Sequence, residues 1–225
     1  MKTPHFRLER ALLRNGVWPV AGVDEVGRGP LAGPVCAAAI VLDPARIPKG
    51  LNDSKALTAA ARDALHAEVL AKALGVGIAF ASAEEIDVLN IRQATFVAMR
   101  RALAALAIVP AYVLIDGNDL PPCLLCEGET LIKGDATSAS IAAASIVAKV
   151  TRDRMMQRAC DLYPGYGFAQ HVGYATKLHL KAIAERGPCA LHRMSFSPMR
   201  IAADEAVSEQ RLSLSEKDTR AMWSS

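Results

Sequence analysis

The sequence predicts an α/β fold in which helices pack on a mixed β-sheet. Three observations predict it. Valine-rich apolar runs of strand length come early, at Val20–Asp24 and Val35–Leu42. From Thr58 onward helical periods alternate with further apolar runs. Ser138–Leu162 then contains neither glycine nor proline and reads as one long alanine-rich helix.

The first two strands are separated by the glycine- and proline-rich segment GRGPLAGP, a tight irregular connection. Thr58 can cap a helix to about Ala73, with Leu65, Val69 and Leu70 on one period. Val76–Ala81 is a further strand. Ser82 with Glu85 three residues on has the capping-box pattern and opens a short helix. An amphipathic helix follows from about Ile91 to Ala107, and Tyr112–Ile115 is a buried strand ending on Asp116. Leu131–Lys133 is expected to be a short strand. Tyr163–Gly173 is a glycine- and aromatic-rich loop, and Thr176–Glu185 is the last good helix. From Ala202 the pattern fades, predicting a loosely held helix or a disordered tail. There are no internal repeats.

The 225 residues are 52% hydrophobic and 22% charged, ordinary globular composition and enough chain for one domain with a substantial core. No apolar run approaches the length that spans a bilayer, and Met1–Arg14 lacks the apolar centre of a signal peptide. A cytoplasmic monomer without membrane association is expected. Five scattered cysteines include a single C-x-x-C pair, Cys123 and Cys126, with no histidine nearby to complete a zinc site. Plain reduced thiols are the simpler reading. The net charge is +3, and residues 201–225 are acidic, leaving residues 1–200 with 23 Lys+Arg against 18 Asp+Glu. Such a body permits a polyanionic partner.

Four acids stand at the ends of hydrophobic elements: Asp24 and Glu25 after the first strand, Asp116 after a later one, and Asp135 just before the long helix. Singly, each reads as a solvated terminus. Together they make a cluster whose mutual repulsion a hard divalent cation would relieve. Neighbouring strand residues point to opposite faces, so Asp24 and Glu25 are expected to share a site through a twist or bulge near Gly27 and Gly29. The glycines fall as G-x-G-x-x-x-G, which excludes the dinucleotide fingerprint. Bare backbone there instead suits close approach of a sugar–phosphate chain, with Arg28 available to a phosphate.

The motifs then become specific. DEVGRGPLAGPV at Asp24–Val35, NDSK at Asn52–Lys55, IDGN at Ile115–Asn118 and KGD at Lys133–Asp135 occur in order. SIAAASIVAKVTRD at Ser140–Asp153, YPGYGFAQHVGYATKLHL from Tyr163 and HRMSFSP at His192–Pro198 complete the series. Across residues 18–200 the chain resembles ribonuclease HII. Departures are small: Ala56 stands where a second lysine often follows, and Met199 where valine is common.

The resemblance implies an RNase H-like fold with a C-terminal helical extension, residues 18–200, between an N-terminal segment 1–17 and a polar tail 201–225. It implies hydrolysis of RNA in RNA–DNA hybrids and at ribonucleotides embedded in duplex DNA, with two Mn²⁺ or Mg²⁺ ions and 5′-phosphate products. By match to the motifs, Asp24, Glu25, Asp116 and Asp135 are the catalytic, metal-binding acids. Gly27, Arg28 and Gly29 match the ribose-sensing loop, and Tyr174 the tyrosine at the RNA–DNA junction. Lys55 and Lys149 are candidate phosphate contacts. Asp153 is a rival fourth acid, but 18 residues of continuous helix would set it roughly 27 Å from Asp135; pairing with a neighbouring arginine is the simpler role. His171, His179 and His192 read mainly as packing residues, and Tyr163, Tyr166 and Phe168 as substrate neighbours or core anchors. The alternatives are a related nuclease acting on DNA alone and a hybrid-binding protein that does not cut.

Overall fold

The computed structural model describes residues 3–199. The tail expected from Ala202 onward lies outside the described residues. The element order is α1 (Arg7–Arg14), β1 (Val20–Val26), β2 (Val35–Val41), α2 (Ala59–Lys72), β3 (Gly75–Ala81), α3 (Ala83–Leu89), α4 (Ile91–Ala104), β4 (Tyr112–Asp116), β5 (Glu127–Leu131), α5 (Ala139–Leu162), the single turn α6 (Phe168–His171) and α7 (Lys177–Arg186). The sheet order is β3-β2-β1-β4-β5. The β1–β2 and β2–β3 pairs are antiparallel, and β1–β4 and β4–β5 are parallel. The sheet is mixed, as expected.

Strand periodicity sorts the sheet's residues between two cores. Cys36, Ala38 and Ile40 of β2 face α5 and α2, where Ala143, Ile146, Val147 and Val69 cover them. Ala37, Ala39 and Val41 face α4 with Ala21, Val23, Ala98 and Met99. Every residue of β2 is therefore buried, which is why its sequence is a continuous apolar run. Helix α5 can lie this close because its residues are small and because Gly22 has no side chain. A Cβ there would meet the Ser140 carbonyl carbon at 2.2 Å. A third core joins Ala32 and Met156 to Tyr166, Phe168 and Ala182, seating the C-terminal helices on the loop between β1 and β2.

Local signals in the sequence are met in the expected places. Thr58 caps α2, Ser138 caps α5, Thr176 caps α7, and Ser82 forms a reciprocal capping box with Glu85. Helix α4 ends at Ala104, earlier than the expected Ala107. The expected strand Leu131–Lys133 is corrected to Glu127–Leu131. Leu131 already pairs with Asp116, the last residue of β4, so no partner remains beyond it, and Lys133 turns into a left-handed conformation. The Tyr163–Gly173 loop contains the turn α6.

Helix α1 is a finding without an expectation behind it. Four of its eight residues are charged, and an isolated helix this short would not form in water. Tertiary contacts hold it. Glu9 is fully buried, and its Oε1 accepts from the Ser138 hydroxyl at 2.6 Å and the Ser140 amide at 3.0 Å. A carboxylate thus closes the N-terminus of α5, where the helix dipole favours negative charge. Among the described residues no helix is long and apolar enough to cross a membrane.

Candidate active site

The sheet's topology brings the acids together. β1 and β4 are parallel neighbours whose pairing runs to Val23↔Ile115, so Asp24 and Asp116 follow at the same ends of adjacent strands. Asp135 lies four residues beyond β5 in a 3₁₀ turn, Gly134–Ala136. That turn is tied to β4, because the Gly134 amide donates to Asp116 Oδ1 at 2.6 Å. Glycine is needed there: a Cβ would lie 2.6 Å from Ile141 Cδ1.

Of the twist or bulge expected near Gly27 and Gly29, no bulge interrupts the strand from Asp24 to Val26. The pairing of Asp24 and Glu25 with Ala38 and Ala37 continues in regular register. The two side chains do point to opposite faces, and the site accommodates both because it sits at the sheet's end, where the faces meet. Asp24 is 5% exposed and lies beside Ser145 of α5. Glu25 continues the Val23 face and also lines a 220 Å³ cavity with Thr95, Phe96 and Met99 of α4. A second cavity of 320 Å³ is lined by all four acids together with Ser54, Lys55, Ser145, Lys149 and Tyr174. Glu25 and Asp116 border both.

Electrostatics set these carboxylates apart from ordinary surface acids. Burial holds the Asp24 carboxyl well above the usual range, and repulsion from Glu25 and Asp116 adds to it. Burial also raises Glu25, against the opposing pull of Arg28, whose guanidinium lies 3.5 Å away. Asp116 is raised by burial and partly restored by the Gly134 amide. Asp135 is raised by burial and by Asp116 and Asp53, with Lys55 opposing. Four oxygen-donor side chains that resist carrying charge together suit a hard divalent cation. Among the described residues no group of three or more such side chains is closed into a coordination shell. Binding an ion would require the carboxylates to draw in.

Of the other expected residues, Lys55, Lys149 and Tyr174 line the same 320 Å³ cavity as the acids, Arg28 lines the 220 Å³ one, and Gly27 and Gly29 line neither. Tyr174 stands at the mouth of the cavity it lines, 41% exposed. Gly29 lies next to Tyr174: a Cβ would meet only the ring's Cε1, at 3.9 Å, leaving open space over the loop. Gly27 is glycine for a different reason. At φ +90° it backs onto Arg152, whose Nε a Cβ would meet at 2.1 Å. The bare backbone of Gly27 therefore serves packing behind the loop.

A family model described as Ribonuclease HII matches residues 21–199, nearly all of the described chain. The chain belongs to the ribonuclease HII family. It is thus an endonuclease of the ribonuclease H class, cutting RNA in RNA–DNA hybrids. The ribonuclease HII of Rhizobium leguminosarum bv. trifolii is 58% identical over 210 residues, 93% of this chain and 91% of that one. The crystal structure of ribonuclease H2 from Pyrococcus horikoshii superposes with a TM-score of 0.70 at 26% identity, covering 83% of this chain and 97% of that one. Bst-RNase HIII in complex with Mn²⁺ shares the fold, with a TM-score of 0.62 at 20% identity over 83% of this chain and 70% of that one.

Within this ribonuclease HII fold, several residues gain roles that sequence reasoning missed. Ser54 and Ser145 pair through their hydroxyls at 2.9 Å, pinning the Asn52–Lys55 loop to α5 beside Asp24. Asp53 is a fifth acid close enough to influence Asp116 and Asp135. The NDSK block contained both residues, but nothing local distinguished them from loop polarity. Arg152 and Arg193 are fully buried beneath the Gly27–Pro34 loop. Arg193 donates to the carbonyls of Gly27, Arg28 and Gly33, and Arg152 to those of Ala32, Pro34 and Val172. Burial lowers the Arg193 pKa to about 9, still above neutrality, so its charge persists.

The histidines are packing residues, as the sequence suggested. His179 stacks on His171 with centroids 4.3 Å apart, its Nε2 lies 3.1 Å from His192 Nε2, and its Nδ1 lies 2.9 Å from the Tyr174 carbonyl. Tyr166 and Phe168 are core anchors stacked under the same cluster. Asp153 pairs with Lys149 at 2.9 Å, which corrects the expected arginine partner. An (i, i+4) lysine is the nearest cation on that helix face.

Proposed function

We propose that this ribonuclease cleaves at single ribonucleotides embedded in duplex DNA as well as in continuous RNA of hybrids. Asp24, Glu25, Asp116 and Asp135 are its catalytic acids. One observation carries the assignment: all four line a single 320 Å³ cavity that also includes Lys55 and Tyr174. These acids would hold two divalent ions, Mg²⁺ or Mn²⁺. Bound there, the ions would supply acidification of an attacking water and neutralisation of the phosphate's developing charge, leaving 5′-phosphate and 3′-hydroxyl ends.

The remaining groups bind and orient the substrate. Lys55 and Lys149 at the cavity wall offset the acids' repulsion of the nucleic-acid backbone and neutralise phosphates. The Gly27-Arg28-Gly29 loop faces the ribose, where the 2′-hydroxyl is the group that separates RNA from DNA. Tyr174 stacks on the following deoxynucleotide. Its closeness to Gly29 supports this division of labour, since the two readers would contact adjacent sugars. The test is cleavage of a DNA duplex carrying one ribonucleotide, beside an all-DNA twin. Cutting the first at its ribonucleotide and sparing the second is expected. Cleavage of both would favour a DNA nuclease, and of neither a binding protein.

A further inference from the structure

We infer that Arg152 and Arg193 are positioning residues for ribose recognition. Arg193 aims the backbone amides of Arg28 and Gly29 into the cleft, and Arg152 ties the rest of the Gly27–Pro34 loop to the segment carrying Tyr174. Together they set the preference for ribose over deoxyribose. The inference rests on the proposed reading of Gly27–Gly29 as the ribose-facing element.

In a planar trans peptide a carbonyl and the following N–H point in opposite directions. The Gly27 and Arg28 carbonyls both accept from Arg193, at 2.5 Å and 2.8 Å. The N–H groups of Arg28 and Gly29, on those same two peptides, must therefore face away from the buried guanidinium. Among the described residues neither has a hydrogen-bond acceptor. Two consecutive amide donors are thus left unpartnered on the side where Gly29 is open toward Tyr174. Adjacent backbone donors of this kind form a concavity for oxygen ligands such as a hydroxyl or phosphate.

The cations do more than fill space. Neither guanidinium forms an ion pair with a carboxylate of the described residues. Their acceptors are loop carbonyls, with Phe196 lying under the Arg193 guanidinium. Two buried positive charges satisfied by peptide dipoles polarise those peptides and strengthen their outward N–H groups as donors. Arg152 extends the platform to the other reader: it donates to the Val172 carbonyl at 3.0 Å. Gly173 in turn accepts from the Leu31 amide, so the segment before Tyr174 is tied to the loop itself. Lysine cannot reproduce this, because a single ammonium lacks the planar fork that spans several carbonyls.

The test compares wild type with Arg193→Lys and Arg152→Lys. Anisotropy in chelator reads binding to two duplexes that differ by one 2′-hydroxyl. Each folded variant should lose at least tenfold in ribose preference, while affinity for the all-DNA duplex changes less than twofold. A merely structural role would weaken both duplexes alike, and that result overturns the inference. Should the variants not fold, the wild-type amide resonances of Arg28 and Gly29 decide. Shifts with the ribonucleotide duplex and not its twin support the inference, and equal responses overturn it. If the wild type cleaves at ribonucleotides but the folded variants keep its preference, only the arginine role fails. If the wild type shows no preference at all, the ribose-loop reading falls first and takes this inference with it.

Discussion

The Asp116 carboxylate accepts the Gly134 amide at 2.6 Å, so the last residue of β4 also anchors the turn that presents Asp135. One acid is therefore oriented by the backbone that carries its neighbour. Asp24→Asn and Asp135→Asn should each abolish cleavage while leaving hybrid binding largely intact, since removing negative charge lessens repulsion of the phosphates. Asp153→Asn should retain most activity, because Asp153 does not line the cavity that the four acids share. Parallel cleavage and binding assays check this. An inactive Asp153→Asn beside an active Asp135→Asn would reverse the assignment.

Activity should disappear in excess chelator and return with Mg²⁺ or Mn²⁺. Ca²⁺ should bind without supporting turnover, because its larger and looser coordination shell suits in-line displacement poorly. Full activity in chelator would remove the metal reading.

Tyr174→Ala should impair cleavage at single-ribonucleotide junctions more than cleavage of continuous RNA hybrids. Loss of base stacking costs roughly 1–3 kcal/mol, about five- to 150-fold. A bulky residue at Gly29 should damage both, because it fills the space beside the Tyr174 ring. Equal losses on the two substrates for Tyr174→Ala would refute its role at the junction.

Acid should loosen the C-terminal helices through the histidine cluster. Burial pushes the His179 pKa down to about 4, and lowers His192 as well. Between that value and the ordinary 6.5 the unfolded chain binds more protons than the folded one, so stability falls as pH falls through this window. The raised carboxyl of Asp24 acts in the opposite sense, because its folded form binds the extra proton. His179→Gln should therefore flatten the acid-side decline in melting temperature relative to wild type. An unchanged slope would show that the cluster does not govern it.

Glu9→Ala should destabilise the protein by about 1.5–3 kcal/mol, the range for hydrogen bonds to a charged group. It removes the acceptor of Ser138 and Ser140 and leaves space at the buried end of α5. Urea unfolding monitored by circular dichroism measures the change. A midpoint equal to wild type would show that the Glu9 hydrogen bonds contribute nothing to stability.

The sequence by itself determined the features that depend on near neighbours. Thr58, Ser82, Ser138 and Thr176 announce helices because a cap bonds within three residues. The continuous apolar run of β2 announces burial on both faces, and the acids at element ends announce a site at the end of the sheet. Tertiary structure alone decided how those parts meet. Asp24 and Glu25 line one cavity, with no bulge in their pairing, because parallel pairing sets β1 beside β4 and the cavity lies at their common ends. Helix α1 is held by distant contacts: Glu9 finds donors 129 and 131 residues away, and Leu8 and Leu12 pack on Val20, Leu114 and Ile141. Nothing in the sequence singles out Arg152 and Arg193; their acceptors are carbonyls 120 and 166 residues distant in the chain. A buried charge is tolerable only where such acceptors converge, and that convergence has no local signature.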